Sequence, residues 1–118
     1  MPQIHRIVPN LKVDDPAAAQ EFYAEFLGLE KQFDLGWVAS YTLPENRAIQ
    51  VNLVTRDATS PEDSQISVNV ADVDAAWADA QRRGYEIVHP LAQEPWGVRR
   101  FLVRDPNGVV VNVVAHAD

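Results

Sequence analysis

The chain has 118 residues, 47% of them hydrophobic and none of them cysteine, with a formal net charge of −7. That length supports one compact domain with a real core and not two independent ones, and the missing thiols exclude disulfides, a cysteine nucleophile and any thiolate metal site. Basic residues are scattered apart from the pairs Arg82-Arg83 and Arg99-Arg100, so nucleic acid is not the expected partner; with no leader and no span-length apolar run, a cytoplasmic protein without a membrane partner is expected.

In chain order, a strand-like opening segment ends at Val13. Asp15-Pro16 then offers an N-cap followed by proline at the first helical position, and Gly28 a stop. This predicts a helix from about Pro16 to Leu27, with Ala19, Phe22, Tyr23, Phe26 and Leu27 on one face. Trp37 follows Gly36 at a strand start and shares its phase with Tyr41, which suits core packing and groove lining equally. The polar stretch Thr55 to Ser64, with Pro61, reads as a connector. Beyond it Asp72 caps a second helix over about Val73 to Arg83, which buries Val73, Ala76, Trp77 and Ala80 and stops at Gly84. Asp105-Pro106-Asn107-Gly108, between two β-rich runs, predicts a closing antiparallel hairpin.

Strand, cap and stop recur in order. A shift of 57 lays Val13-Asp14-Asp15 on Val70-Ala71-Asp72, and a shift of 56 lays Gly28 on Gly84. The expectation is an α+β fold of two βαβββ modules that form a cupped, mostly antiparallel sheet with helices on the outer face. Module 1 covers about 1–56, the connector about 57–64 and module 2 about 65–118, all within a single domain, 1–118.

Strand alternation separates two faces. Ile7, Leu11 and Val13, with Ile49, Val51, Leu53, Ile66, Val68, Val70, Val109, Val111 and Val113, form apolar phases for the helices to cover. The opposite phase carries Val8, Asn10, Lys12, Gln50, Asn52, Val54, Gln65, Ser67, Asn69, Val110, Asn112 and Val114. A solvated face would read polar too, but with more Lys and Glu; amides that donate and accept, set among valines, suit the wall of a ligand cup.

The string Glu94-Pro95-Trp96-Gly97 through Asp105-Pro106-Asn107-Gly108, followed by six residues of which five are Val, carries a family resemblance. With Asn10 to Asp15, Phe22-Tyr23 and Leu27-Gly28-Leu29, it resembles the glyoxalase, bleomycin-resistance and extradiol-dioxygenase (vicinal oxygen chelate) superfamily, most of all its drug-sequestering bleomycin-resistance proteins. The resemblance implies a homodimer and places the motif of Trp96 beside a ligand groove. Metal-dependent members carry His or Glu at four inward strand positions, which fall here on Val8, Gln50, Gln65 and Asn112. None is a charged or imidazole donor, so neither a metal nor another cofactor is expected.

No catalytic residue is nominated. Asp14-Asp15 and Asp72 with Asp74 are explained by helix capping, no serine sits in a nucleophile elbow, and His5, His89 and His116 read as ordinary histidines, His89 in a loop. The reading is a metal-free binder of a small molecule, such as a cationic aromatic antibiotic or metabolite. Its candidate ligand-binding residues are Trp37, Gln50, Asn52, Gln65, Ser67, Trp96, Arg100 and Asn112; Arg99, Arg100 and Arg104 read first as solvated strand edges, with the holding of carboxylates as the alternative. The alternative is an enzyme of the same superfamily, a lyase, isomerase or dioxygenase, with an atypical metal site.

Overall fold

A computed structural model describes residues 2–116. The fold is α+β, with eight mostly antiparallel strands, and the chain divides into two compact units: residues 8–59, and residues 60–116 with residues 2–7. Among the described residues no helix is long and apolar enough to cross a membrane.

In the unit of residues 8–59, the strands are β1 (Ile4–Lys12, which begins in the other unit's segment), β2 (Glu30–Asp34), β3 (Val38–Leu43) and β4 (Asn46–Val54). Their order is β2-β3-β4-β1, with β1 and β4 parallel and the other pairs antiparallel. The expected first helix is instead a 3₁₀ turn at Pro16–Ala19 followed by a π-helical segment at Glu21–Phe26. Two local causes are visible. Asp15 turns its carboxylate back onto the Ala17 N–H, 3.1 Å away, which tightens the start around a proline that has no N–H to give. At the other end the Leu27 N–H reaches back five residues to the Phe22 carbonyl at 3.0 Å, and Gly28, at φ 79°, ends the segment.

Widening the helix changes what it buries. Ala19, Tyr23 and Ala24 pack on the core residues Ala39, Tyr41 and Leu53, while Phe22 and Phe26 are 52% and 73% exposed. Tyr23 and Tyr41 meet at 5.7 Å between ring centroids, and the Tyr41 hydroxyl donates to Gln20 Oε1 at 3.0 Å, which anchors the segment. The apolar phase is likewise only partly covered: Val13, Val51 and Leu53 join the core, whereas Ile7, Leu11 and Ile49 are exposed, contrary to the alternation argument. A segment this short cannot shield the full length of two nine-residue strands.

In the other unit, β5 (Ile66–Val70) leads into α1 (Val73–Arg82), followed by β6 (Glu86–Gln93), β7 (Val98–Arg104) and β8 (Val110–His116). The order is β5-β8-β7-β6, with β5 and β8 parallel. Asp72 caps α1 through the Ala75 N–H at 3.0 Å, as its sequence position suggests. Val70, Val73, Ala80 and Phe101 make the core, joined by Trp77, whose ring meets Phe101 edge-on at 5.2 Å. Arg99 reaches across to Asp74 at 2.8 Å, tying β7 to the first turn of α1, and this bond holds the Asp74 carboxyl below the usual carboxylate range. In the closing turn Asp105 accepts from the N–H groups of Asn107 and Val109, and Gly108 takes the positive φ the turn requires.

Truncation of the aromatic pair should separate core from surface. Phe101→Ala and Trp77→Ala are each expected to lower stability by about 3–5 kcal/mol, and Phe26→Ala by less than about 0.5 kcal/mol. Denaturant unfolding of the three variants measures this directly; equal losses at Phe26 and Phe101 would contradict the burial assignment.

Candidate functional site

Each sheet has a helix-covered face and a second face, where polar side chains stand among valines, several of them buried. In residues 8–59 the strand register places Asn10, Asn52 and Ser40 side by side, with Gln50 beside Thr42. Gln50 Nε2 donates to Ser40 Oγ at 2.6 Å and to Asn52 Oδ1 at 3.2 Å, and Asn52 Nδ2 donates to Asn10 Oδ1 at 2.9 Å. Amide thus hands on to amide across two strands. Ser40 and Thr42 are fully buried, and Thr42 Oγ1 has no hydrogen-bond partner.

The unit containing α1 carries the larger constellation. Cross-strand pairing of Ser67 with Asn112, Asn112 with Leu102 and Leu102 with His89, and of Asn69 with Val114 and Val114 with Arg100, puts all of these on the face opposite α1. Arg100 is only 3% exposed, and a guanidinium stripped of water to that degree requires a carboxylate. Glu94 supplies it: its Oε2 accepts from Arg100 Nε at 2.7 Å. Glu94 also opens the turn between β6 and β7, which closes through Glu94 N–H to Val98 O at 2.7 Å and Gly97 N–H to Glu94 O at 3.1 Å. Trp96 rides on that turn, half-buried, with the Arg100 guanidinium carbon 5.1 Å from its ring centroid.

His89 completes the cluster. Its Nδ1 lies 2.7 Å from the Pro90 carbonyl, which puts the ring proton on that nitrogen, and Nε2 sits 3.6 Å from the Glu94 carboxylate. The expectation of a loop histidine is therefore corrected: His89 is a buried residue of β6. Pro90 follows His89, and β6 is an edge strand with register shifts on both sides of His89, where a proline is tolerated. The clue was available in the apolar flanks Ile87-Val88 and Leu91-Ala92.

Of the sequence candidates, Ser67, Trp96, Arg100 and Asn112 lie in this unit as part of the described face or its turn. Gln65 is exposed at the edge of the face, its Oε1 accepting the Val110 N–H at 2.6 Å. Gln50 and Asn52 belong to the other unit, in the amide chain. Trp37 stands in the bend before β3, half-buried, its carbonyl accepting from the Thr55 N–H at 2.9 Å. Arg99 and Arg104 pair elsewhere, Arg99 with Asp74 and Arg104 with Glu62 and Glu86; those two carboxylates raise the Arg104 pKa. Glu94, His89, Asn69, Ser40 and Thr42 escaped the candidate set, because strand phase alone does not show which polar residues are sealed from water.

The positions where metal-binding relatives carry ligands do not fit a metal here. Val8 has no donor, Gln50 turns its amide nitrogen to Ser40 and Asn52, Gln65 spends its oxygen on a backbone N–H, and Asn112 donates to Ser67 Oγ at 3.1 Å. The register also pairs Gln65 with Val110 through backbone bonding, as continuation of the β1–β4 register pairs Val8 with Gln50; in the repeat's own symmetry Gln50 corresponds to Val110, and Asn52 to Asn112. Neither set holds a charged or imidazole donor, and among the described residues no three His, Cys, Asp or Glu are grouped to hold a metal.

The family model described as Glyoxalase/Bleomycin resistance protein/Dioxygenase superfamily matches residues 3–113. No curated protein matches the chain. Among solved structures, a Legionella pneumophila chain described as an NAD-dependent benzaldehyde dehydrogenase is 18% identical, with TM-score 0.73 over 93% of this chain and 98% of its own. A superfamily member from Vibrio splendidus is 19% identical, with TM-score 0.70 over 96% and 99%. The Mn(II)-bound glyoxalase of Novosphingobium aromaticivorans is 22% identical, with TM-score 0.65 over 96% of this chain but only 38% of its own. These likenesses show the fold.

The buried ion pair gives a direct test. Glu94→Gln leaves the guanidinium without its counter-charge and should cost about 3–5 kcal/mol, whereas replacing both partners by apolar residues, Glu94→Leu with Arg100→Met, should restore stability to within about 1 kcal/mol of the parent or better. Thermal and denaturant unfolding of the single and double variants report it; an unaltered midpoint in Glu94→Gln would show that Arg100 does not depend on this carboxylate.

Proposed function

The chain belongs to the Glyoxalase/Bleomycin resistance protein/Dioxygenase superfamily, and we propose that within it the protein is a metal-free small-molecule binder of the bleomycin-resistance type, which sequesters its ligand instead of transforming it. The observation that carries this reading is the face opposite α1, buried yet lined with hydrogen-bonding side chains and bordered by the Trp96 turn. Valines 110 and 114 alternate with Asn112 along β8, so an organic ring can lie on apolar carbon while its polar edge meets an amide. The formal charge of −7 attracts a cation. Because Arg100 already covers one side of the Trp96 indole, a flat cationic ligand would stack on the other.

One observation favours the second reading, an enzyme of the same superfamily: His89 and Glu94 are two titratable side chains 3.6 Å apart on this face. Against it stands the arrangement of the pair, in which the carboxylate is engaged by Arg100 and the ring proton by Pro90. Elemental analysis of protein purified without chelators or metal-affinity tags decides the metal question; well under one equivalent per subunit is expected, and stoichiometric zinc, nickel, iron or manganese would favour the enzyme.

Binding itself is tested with bleomycin and a planar acridinium dye, followed by tryptophan fluorescence and calorimetry. A saturable site is expected, and Trp96→Ala should weaken it about tenfold while the melting temperature changes little. Absence of saturable binding by either compound, or an unchanged affinity in Trp96→Ala, would sink the proposal.

A further inference from the structure

Two buried amide oxygens on the face opposite α1 have no hydrogen-bond donor: Asn69 Oδ1 and Asn112 Oδ1, in side chains 7% and 9% exposed. Buried polar atoms are ordinarily satisfied, so two orphans on adjacent strands of one face call for a physical account. Asn112 pairs with Ser67 and Asn69 with Val114, which makes the two asparagines diagonal neighbours within reach of one planar group.

The internal repeat explains how the Asn112 orphan arises. In the other unit Asn52 occupies the corresponding place; it donates to Asn10 as Asn112 donates to Ser67, but its own oxygen is filled by Gln50. The residue corresponding to Gln50 is Val110, which has no side-chain donor to give. The same framework is closed in one repeat and open in the other, and the open one shares its face with Arg100, whose guanidinium lies against the Trp96 ring.

We infer that Asn69 and Asn112 read hydrogen-bond donors on the ligand, and that the ligand class is a planar molecule bearing N–H groups on its edge: an amidinium, an amino-substituted heteroaromatic or a primary carboxamide. This deepens the binding reading and rests on it. The Asn112 amide is oriented by its bond to Ser67 Oγ, so its oxygen is the group presented. Anions are disfavoured here. The Arg100 charge is offset by Glu94, and a carboxylate or phosphate would set its lone pairs against two carbonyl oxygens and that carboxylate. Val110 and Val114 stand on the same face beside the two asparagines, the apolar neighbours for the body of the ring.

The test compares three probes of one shape in the whole protein: benzamidine, which carries donors; benzoate, which carries only acceptors; and toluene, which carries neither. Amide-resolved NMR titration up to about ten millimolar covers the affinity range of such fragments. Benzamidine should bind tightest and shift the side-chain amides of Asn69 and Asn112, and benzoate should bind weakest. Asn69→Leu and Asn112→Leu should each weaken benzamidine about tenfold and leave toluene unchanged; Asn69→Leu should also hold or raise the melting temperature, because it removes a buried acceptor that lacked a partner, whereas Asn112→Leu gives up the bond to Ser67 Oγ as well. A purely structural role, through a bridging water, predicts the reverse, a lower melting temperature with benzamidine affinity intact, and that result overturns the inference. If benzoate matches benzamidine on the parent protein the inference fails whatever the variants do. If toluene, bleomycin or the dye binds at this face without donor preference, the donor reading alone falls; if no probe binds, the sequestration reading falls with it.

Discussion

A guanidinium closed off from water has to be neutralised where it lies, and the Arg100–Glu94 pair is the interaction around which the α1-containing sheet organises its second face. Arg100 sits in β7 just after the turn, and Glu94 begins that turn, so the 2.7 Å bond between them clamps the loop at its base. Trp96 rides on the clamped loop, its ring against the Arg100 guanidinium. The ring of His89 approaches the same carboxylate from an edge strand whose irregular register turns it inward. Three residues far from one another in chemistry are thereby coupled, and the face is left close to neutral, with amide oxygens as its most strongly polar unfilled groups.

This arrangement follows from how each sheet divides its labour. On one side α1 or the 3₁₀ and π segment covers Val, Ala, Tyr and Phe, and burial of that carbon drives folding. On the other side polar residues alternate with valines and Leu102, and none of the usual long charged side chains except Arg100 stands among the buried strand positions. Polar groups sealed this way contribute little to stability even when paired, and cost a good deal when they are not.

Much of this was legible in the sequence. Asp72 before an amphipathic run, Gly84 after it, and Asp-Pro-Asn-Gly between valine-rich segments act through local backbone chemistry, and those elements formed where their residues indicated. The repeat indicated the βαβββ succession of elements in each half, since a strand, a cap and a stop recur in series. The first helix was less legible: Asp15-Pro16 signals a start but not the hydrogen-bond spacing that follows, which the Asp15–Ala17 and Leu27–Phe22 bonds realise. For the candidate site, phase identified the polar face, while the ion cluster stayed hidden. Glu94 and Arg100 are ordinary surface residues by composition, and only the closing of a three-dimensional turn makes them partners. His89 was masked by Pro90, because the tolerance of an edge strand for proline depends on strand order, not on sequence.

Unsatisfied acceptors are a weighty feature in a small protein. A domain of this size is stable by roughly 5–15 kcal/mol in all, and each buried polar atom without a partner costs about 1–3 kcal/mol. Thr42, Asn69 and Asn112 together therefore represent a considerable share of the margin. A single apolar substitution at each position would recover it, and Leu is close to Asn in shape, so the polar atoms are not there for packing. The repeat sharpens the point, since Gln50 shows that the same framework can fill the acceptor with one side chain, and Val110 shows a repeat in which it does not. One amide chain is thus closed by its own hydrogen bonds and the other is left with a buried acceptor unfilled, although both halves share the same strand framework.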